Sequence, residues 1–166
     1  MRWTGEASDG LYRRFSGDPT QFEQFCAKLY GCLGYRVEVT PPVADGGFDL
    51  RMFRGGEKIL VECKCFRPTS SVGRPVLQKL FGANAVERAN HLILVTTATF
   101  SKKAIGYARD VGIELVDGPA LVTLCNRVWG GRPPVRGATA QEAQLTLEDH
   151  LSRMPADIRN PRTFLG

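Results

Sequence analysis

The sequence predicts an α/β domain in which a mixed central sheet of about five strands is flanked by helices. Three observations carry that expectation. Residues 48–65 hold two alternating runs on either side of Gly55-Gly56, the pattern of a tight antiparallel hairpin, because glycine supplies the positive φ that such turns require. Residues 91–117 read as strand, helix, strand, a unit that makes a right-handed crossover between parallel strands. An amphipathic helix with an N-terminal capping signal precedes both.

Residues 1–17 are rich in Gly, Ser and Arg and read as a partly ordered N-terminal arm, with Trp3, Tyr12 and Phe15 as the side chains able to dock. The first helix opens at Asp18-Pro19, where Asp18 can cap and Pro19 suits the first helical position; a Thr20-x-x-Glu23 capping box is the competing register. Phe22, Phe25, Cys26, Leu29 and Leu33 form its buried stripe, and Gly34 ends it. Tyr35, Val37 and Val39 alternate with Arg36 and Glu38 in a first strand stopped by Pro41-Pro42, and the hairpin supplies the next two strands. Phe66 to Gly73 reads as a long, polar, mobile loop. Pro75 starts a helix bearing Val76, Leu77, Leu80 and Phe81.

His91 to Thr97 is nearly continuously apolar, as expected of a strand covered on both faces. Ser101 caps a helix running through Ala104, Ile105 and Ala108, Gly112 closes it, and Ile113 to Asp117 is another strand. Pro119 begins the last helix of the body, with Leu121, Leu124, Cys125 and Val128 on one face. The run from Trp129 to Pro134 marks the end of the body, which gives an organisation of arm (1–17), domain (18–129) and a C-terminal portion (130–166). In that last portion Thr139 to Met154 fits one amphipathic helix with Leu147, Leu151 and Met154 on one side, and Pro155 to Gly166 reads as a tail.

The hairpin also concentrates charge. A two-residue loop pairs Arg54 with Glu57 and a four-residue loop pairs Phe53 with Lys58, so both give one register, and in it Asp49 lies opposite Glu62. Strand side chains alternate, which puts Glu62 and Lys64 on one face and Ile59, Val61, Cys63 and Cys65 on the other. Carboxylates directly across a hairpin repel, so Asp49 opposite Glu62 suggests a cation between them, a divalent metal being the obvious candidate. The plainer alternative is an exposed salt-bridge ladder of Asp49, Glu62 and Lys64, which contributes little.

At 166 residues the chain suffices for one domain with its own core, and 43% hydrophobic with 23% charged residues is a globular composition. Lys and Arg exceed Asp and Glu by 22 to 17, a formal charge of +5 that suits a nucleic-acid partner without requiring one. Five cysteines, several on apolar faces, point to free buried thiols, and Cys63-x-Cys65 lacks the second pair a zinc site would need. No apolar run resembles a signal peptide or approaches the roughly 18 residues of a membrane span, so a cytoplasmic protein with no membrane partner is expected.

The ordered set Phe22-Glu23, Leu33-Gly34-Tyr35, Asp45-Gly46-Gly47-Phe48-Asp49, Val61-Glu62-Cys63-Lys64, Val95-Thr96-Thr97 with Phe100-Ser101, and Val116-Asp117-Gly118 resembles the Mrr-type catalytic domain of the restriction-endonuclease-like nucleases, whose shared signature is Asp followed by (Asp/Glu)-x-Lys. The likeness spans roughly residues 20–125. It implies a restriction-endonuclease-like core and a metal-dependent endonuclease hydrolysing DNA phosphodiester bonds, in restriction or defence against foreign DNA. It further implies Mg2+, with Mn2+ able to substitute, held by Asp49, Glu62 and the backbone carbonyl of Cys63, with Lys64 beside the attacking water. Many Mrr-type domains carry Gln where this chain has Glu62, the more usual nuclease acid. The alternative is a catalytically silent DNA-binding or assembly module of the same fold, and RNA is the other candidate substrate.

Glu23 matches an acid that reaches the metal directly or through water in such domains, in competition with the capping box. Asp45 before Gly-Gly reads as turn chemistry, Gln78 as a solvated helix position and Asp117 as a helix cap. Arg67, Arg74, Lys79, Ser101, Lys102 and Lys103 are candidate nucleic-acid contacts; Ser101-Lys102-Lys103 opens a helix whose free amides can take phosphate. His91 and His150 receive no role. Because cutting both strands commonly needs two active sites, a homodimer is expected, with the helix carrying Leu147, Leu151 and Met154 as a candidate contact. Relatives that recognise modified DNA usually carry a separate domain for it. Neither tail is long enough for one, so specificity is expected from loops, the dimer or another subunit.

Overall fold

Gly55 and Gly56 adopt φ values of 59° and 79°, the left-handed conformation that closes a two-residue hairpin turn, and Arg54 pairs with Glu57 across it. From that turn β2 (Leu50–Arg54) and β3 (Glu57–Lys64) run antiparallel, in the register that the glycines predict, Phe53 opposite Lys58 and Leu50 opposite Val61. The computed structural model describes residues 7–41 and 46–130. Outside β2, β1 (Arg36–Val39) pairs antiparallel, and on the other flank β5 (His91–Thr96) and β7 (Ile113–Val116) add in parallel. The result is a five-stranded mixed sheet of order β1-β2-β3-β5-β7.

Helices cover both faces. α1 (Ser8–Phe15), α2 (Pro19–Cys32) and α5 (Gly118–Trp129) pack on the face presented by Ile59, Val61, Cys63, Ile93 and Val95. α3 (Arg74–Glu87) and α4 (Lys102–Val111) pack on the face of Leu60, Leu92 and Leu94. Central strands that feed two cores need apolar residues at every position, which is why β5 reads as an unbroken run. Cys26, Cys63 and Cys125 are buried free thiols, as their apolar settings implied. Among the described residues no helix is long and apolar enough to cross a membrane.

Three local expectations differ from what the chain does. Residues 8–15, read as part of a partly ordered arm, form α1: Leu11 and Phe15 are one turn apart and buried, and Phe15 meets Phe22 and Phe25 at ring-centroid distances of 5.8 and 5.0 Å. Two core residues leave too short a period to recognise, and such a helix is held by packing rather than propensity. The loop after β3 is tied down rather than free. Its β4 (Ser71–Val72) pairs in parallel with β6 (Thr99–Phe100), with Thr99 N–H donating to Ser70 O at 3.2 Å and Ser101 N–H to Val72 O at 3.0 Å. Phe81, grouped with the apolar residues of the helix that starts at Pro75, is 45% exposed, unlike Leu77 and Leu80, and meets Tyr107 edge-on at 6.3 Å. Trp3, Asp45, the Thr139 to Met154 helix and the tail lie outside the described residues.

Glu87, the last residue of α3, clamps the hairpin. Its carboxylate accepts from Arg51 Nε at 2.9 Å and Nη2 at 2.7 Å, and from Lys58 Nζ at 2.7 Å. These bonds, Arg51 first, hold the Glu87 carboxyl down at about 2 against an ordinary 4.5. A depressed carboxyl adds stability that is present above its unfolded pKa and is lost as pH falls through the folded one. Glu87→Gln is therefore expected to destabilise the fold by about 1–3 kcal/mol near neutrality. In urea denaturation the gap to the wild type should close as pH falls from about 4.5 towards about 2.

Candidate active site

Asp49 is delivered by a clamped segment. Gly47, at φ +82°, lies so close to α3 that a Cβ would stand 3.1 Å from the Lys79 carbonyl oxygen and 3.1 Å from Lys79 Cγ, so no larger residue fits without a shift. Phe48 is buried with the Arg51 guanidinium 4.8 Å over its ring, which couples this segment to the Glu87 clamp. Strand pairing ends at Leu50↔Val61, and past it the Asp49 N–H donates to Val61 O at 2.8 Å. Asp49 Oδ2 then accepts the Cys63 N–H at 2.7 Å, taking the place that a backbone carbonyl of a continuing β2 would fill.

The same geometry orients the next carbonyls. In an extended strand the N–H and C=O of one residue point to the same side. Cys63 turns its N–H towards Asp49, so its carbonyl faces that side too, beyond the end of β2. The Lys64 carbonyl faces β5, where it accepts from Thr96 Oγ1 at 2.6 Å and Thr97 N–H at 3.3 Å.

Glu62 is 6% exposed, and Lys64 Nζ stands 3.3 Å from its Oε1. Burial pushes the Glu62 carboxyl up to about 8, helped by hydrogen bonding to and repulsion from Asp49 and opposed by Lys64. Glu23 comes from the helix layer on the opposite face. Asp18 takes the cap, its Oδ1 accepting the Gln21 N–H at 3.2 Å with Pro19 in the first turn, so α2 starts in the Asp18 register. Glu23 instead stands beside Asp49, and burial followed by that neighbour raises its carboxyl to about 7, with Lys64 again opposing. The two layers meet because the site lies at the rim of the sheet, where β2 has ended and β3 continues.

Asp49, Glu62, Lys64 and Glu23 are thus brought together. Three carboxyl groups that repel one another enough to hold on to protons gather hard oxygen donors around one ammonium, and a divalent cation of the magnesium type would relieve that repulsion. Among the described residues no three His, Cys, Asp or Glu side chains form a ready-made cage, and magnesium, which binds through one or two carboxylates and retains water, needs none.

The basic candidates fall into two groups. Lys79 lays its stem against Gly47, and Arg67, just past β3, donates through Nε to the Tyr12 hydroxyl at 3.4 Å. Arg74, Lys102 and Lys103 open α3 and α4, whose N-termini the β4–β6 pair links. The Arg74 guanidinium stands 5.1 Å over Tyr107, and Ser101 Oγ is spent on capping, accepting the Ala104 N–H at 3.1 Å. Gln78 is exposed, and Asp117 caps α5 through the Ala120 N–H at 3.0 Å. The sequence assigned no role to Thr96, Thr97 or Tyr12 as partners of this region. Two hydroxyls closing an otherwise apolar run were the available signal for the threonines.

A family model of the restriction endonucleases, Mrr_cat, matches residues 15–125. The chain belongs to this Mrr-type restriction endonuclease family. It is 35% identical over 127 residues to the type IV methyl-directed restriction enzyme EcoKMrr of Escherichia coli strain K12, covering 71% of this chain and 41% of that enzyme. The chain therefore spans about two-fifths of that relative's length. Among solved structures, the DNA modification-dependent restriction endonuclease AspBHI superposes with a TM-score of 0.59 at 21% identity, covering 89% of this chain and 39% of that one. The MspJI restriction endonuclease, solved with a 27-mer oligonucleotide, gives 0.58 at 22% identity, covering 89% and 34%. These structures share the fold.

The raised acids of this Mrr-type site carry a pH signature. A carboxyl whose folded pKa is raised keeps its proton where the unfolded chain releases it, so stability falls as pH rises between the two values. In chelator, Glu62→Gln is expected to gain stability relative to wild type between pH about 4.5 and about 8, by at least about 1 kcal/mol at the upper end. Thermal melts across that range check it, and a pH-independent difference would contradict the raised carboxyl.

Proposed function

We propose that the chain is a metal-dependent endonuclease that hydrolyses DNA phosphodiester bonds, acting in restriction or defence against foreign DNA. The observation that carries this reading is the convergence of Asp49, Glu62 and Glu23 with Lys64 at a sheet rim, in a chain of the restriction endonuclease family. Asp49, Glu62 and the Cys63 carbonyl would hold Mg2+, or Mn2+ in its place, with Glu23 reaching it directly or through water. Bound there, the ion supplies Lewis acidity that activates water and neutralises charge building on the scissile phosphate.

The chain's own groups have separable tasks. Asp49 is fixed by the Cys63 N–H, so one of its oxygens is committed and its position is set before substrate arrives. Lys64, half-buried beside Glu62, donates to the attacking water and to a phosphate oxygen, which orients one against the other. Arg74, Lys102 and Lys103, at two neighbouring helix N-termini, bind backbone phosphates away from the cut, with Arg67 and Lys79 closer to it. Cutting both strands calls for two copies of the site, so a homodimer is part of the proposal. A monomeric mass in light scattering at the concentration of the cleavage assay would remove that part.

The test is cleavage of supercoiled, methylated and branched DNA with magnesium, with labelled RNA as competitor. Nicked or linear product is expected, lost on chelation. Asp49→Ala and Lys64→Ala should each reduce the rate by at least about 100-fold, and Glu23→Gln by about tenfold. Cleavage unchanged in both alanine variants would sink the assignment.

A further inference from the structure

Thr96 ends β5 and Thr97 follows it, and the mechanism above uses neither. Thr96 and Thr97 are fully buried, in a setting where valine is the ordinary occupant and an unpartnered hydroxyl is costly. Both hydroxyls are engaged. Thr96 Oγ1 donates to the Lys64 carbonyl at 2.6 Å and accepts the Ala98 N–H at 3.1 Å, so its donor and an acceptor position are filled. Thr97 Oγ1 donates to the Phe66 carbonyl.

The backbone makes only one of these connections, the Thr97 N–H reaching the Lys64 carbonyl at 3.3 Å. Pairing between β3 and β5 closes at Lys64↔Thr96, and the chain bends at Thr97-Ala98. That bend is fixed by α5: the Ala98 carbonyl accepts the Gly118 N–H at 2.8 Å, and the Thr97 carbonyl lies so close to Gly118 that a Cβ there would clash with it. With β5 drawn towards α5, side-chain hydroxyls take over where a backbone ladder would have continued. The Lys64 carbonyl has two restraints, and the hydroxyl at 2.6 Å is tighter than the Thr97 N–H at 3.3 Å.

We propose that Thr96 is a positioning residue for Lys64, its hydroxyl fixing the peptide plane that follows Lys64 and thereby the line along which the ammonium meets Glu62 and the substrate phosphate. The inference rests on the nuclease reading of Lys64. An isosteric valine at 96 keeps the volume but leaves that plane only the longer Thr97 N–H bond and strips the Ala98 N–H of its acceptor. The Lys64 side chain then samples directions away from Glu62, and a small misplacement of a catalytic group costs rate far more than binding.

Plasmid cleavage kinetics and NMR of the isotope-labelled protein, on wild type, Thr96→Val, Thr96→Ser and Lys64→Ala, test this. Thr96→Val is expected to lower kcat by about tenfold or more while KM changes by less than about twofold, and to move the carbonyl carbon resonance of Lys64; Thr96→Ser restores both. If Thr96→Val does not fold, Thr96→Cys serves in its place, a near-isostere whose thiol is a weak donor. The proposal is overturned if the valine or cysteine variant cleaves like wild type while Lys64→Ala does not. It is equally overturned if serine is as impaired as valine, which would assign the effect to the methyl group, or if the Lys64 resonance stays in place. Wild-type protein that leaves every substrate uncut removes the nuclease reading first, and this inference with it.

Discussion

The site depends on one backbone debt. β2 stops pairing at Leu50 while β3 runs on to Lys64, so the Cys63 N–H faces a side with no strand beside it. A buried amide must find an acceptor, and here it finds the carboxylate of Asp49 at 2.7 Å. That single bond places a carboxylate in plane with the sheet, turns the Cys63 carbonyl in the same direction, and leaves Glu62 and Lys64 on the adjacent face. Everything else at the rim is arranged around a strand that outlasts its neighbour.

The hairpin is held in opposite ways at its two ends. Near the turn, Glu87 meets Arg51 and Lys58, so charge is matched and a carboxyl is driven towards its ionised form. At the far end, Asp49, Glu62 and Glu23 crowd one ammonium, and two carboxyls are driven towards their protonated form. One end stabilises the fold and the other works against it, the division expected where a site needs groups that folding alone would not choose. The Arg51 guanidinium over Phe48 links the two, since the residue it stacks on immediately precedes Asp49. Strength at the turn is thereby transmitted to the segment that must keep Asp49 in place.

Legibility in the sequence follows the range of the interactions concerned. Gly55-Gly56 sets the register of the whole hairpin locally, so the placing of Asp49 near Glu62 and Lys64 could be read directly, and the alternation that sends Cys63 to the opposite face came with it. The five-stranded mixed sheet and the family were likewise readable, because ordered motifs along the chain report both. Glu23 was ambiguous for a physical reason: Asp18 and Thr20 both offer a local cap, and it is the fold, with Asp18 capping and Glu23 beside Asp49, that decides between them. α1 escaped notice because its identity lies in contacts of Leu11 and Phe15 with distant residues. The two-residue strands β4 and β6 are defined by each other, and no propensity over two residues can announce them.

Those two short strands also join the rim that carries the candidate site to a basic surface beside it. Their pairing sets the start of α3 beside the start of α4, so free helical amides and the side chains of Arg74, Lys102 and Lys103 share one region. The same stretch of chain, through Thr96 and Thr97, holds the carbonyls of Lys64 and Phe66. A turn of about five residues after β5, the strand whose end pairs with Lys64 of β3, therefore leads to the helix ends suited to phosphate. A substrate phosphate bound at the helix ends and one bound at the metal-type site would be registered against each other by this turn alone. On the proposed nuclease reading, the β5–α4 connection, rather than any single basic residue, would fix where along a nucleic acid strand the chemistry falls.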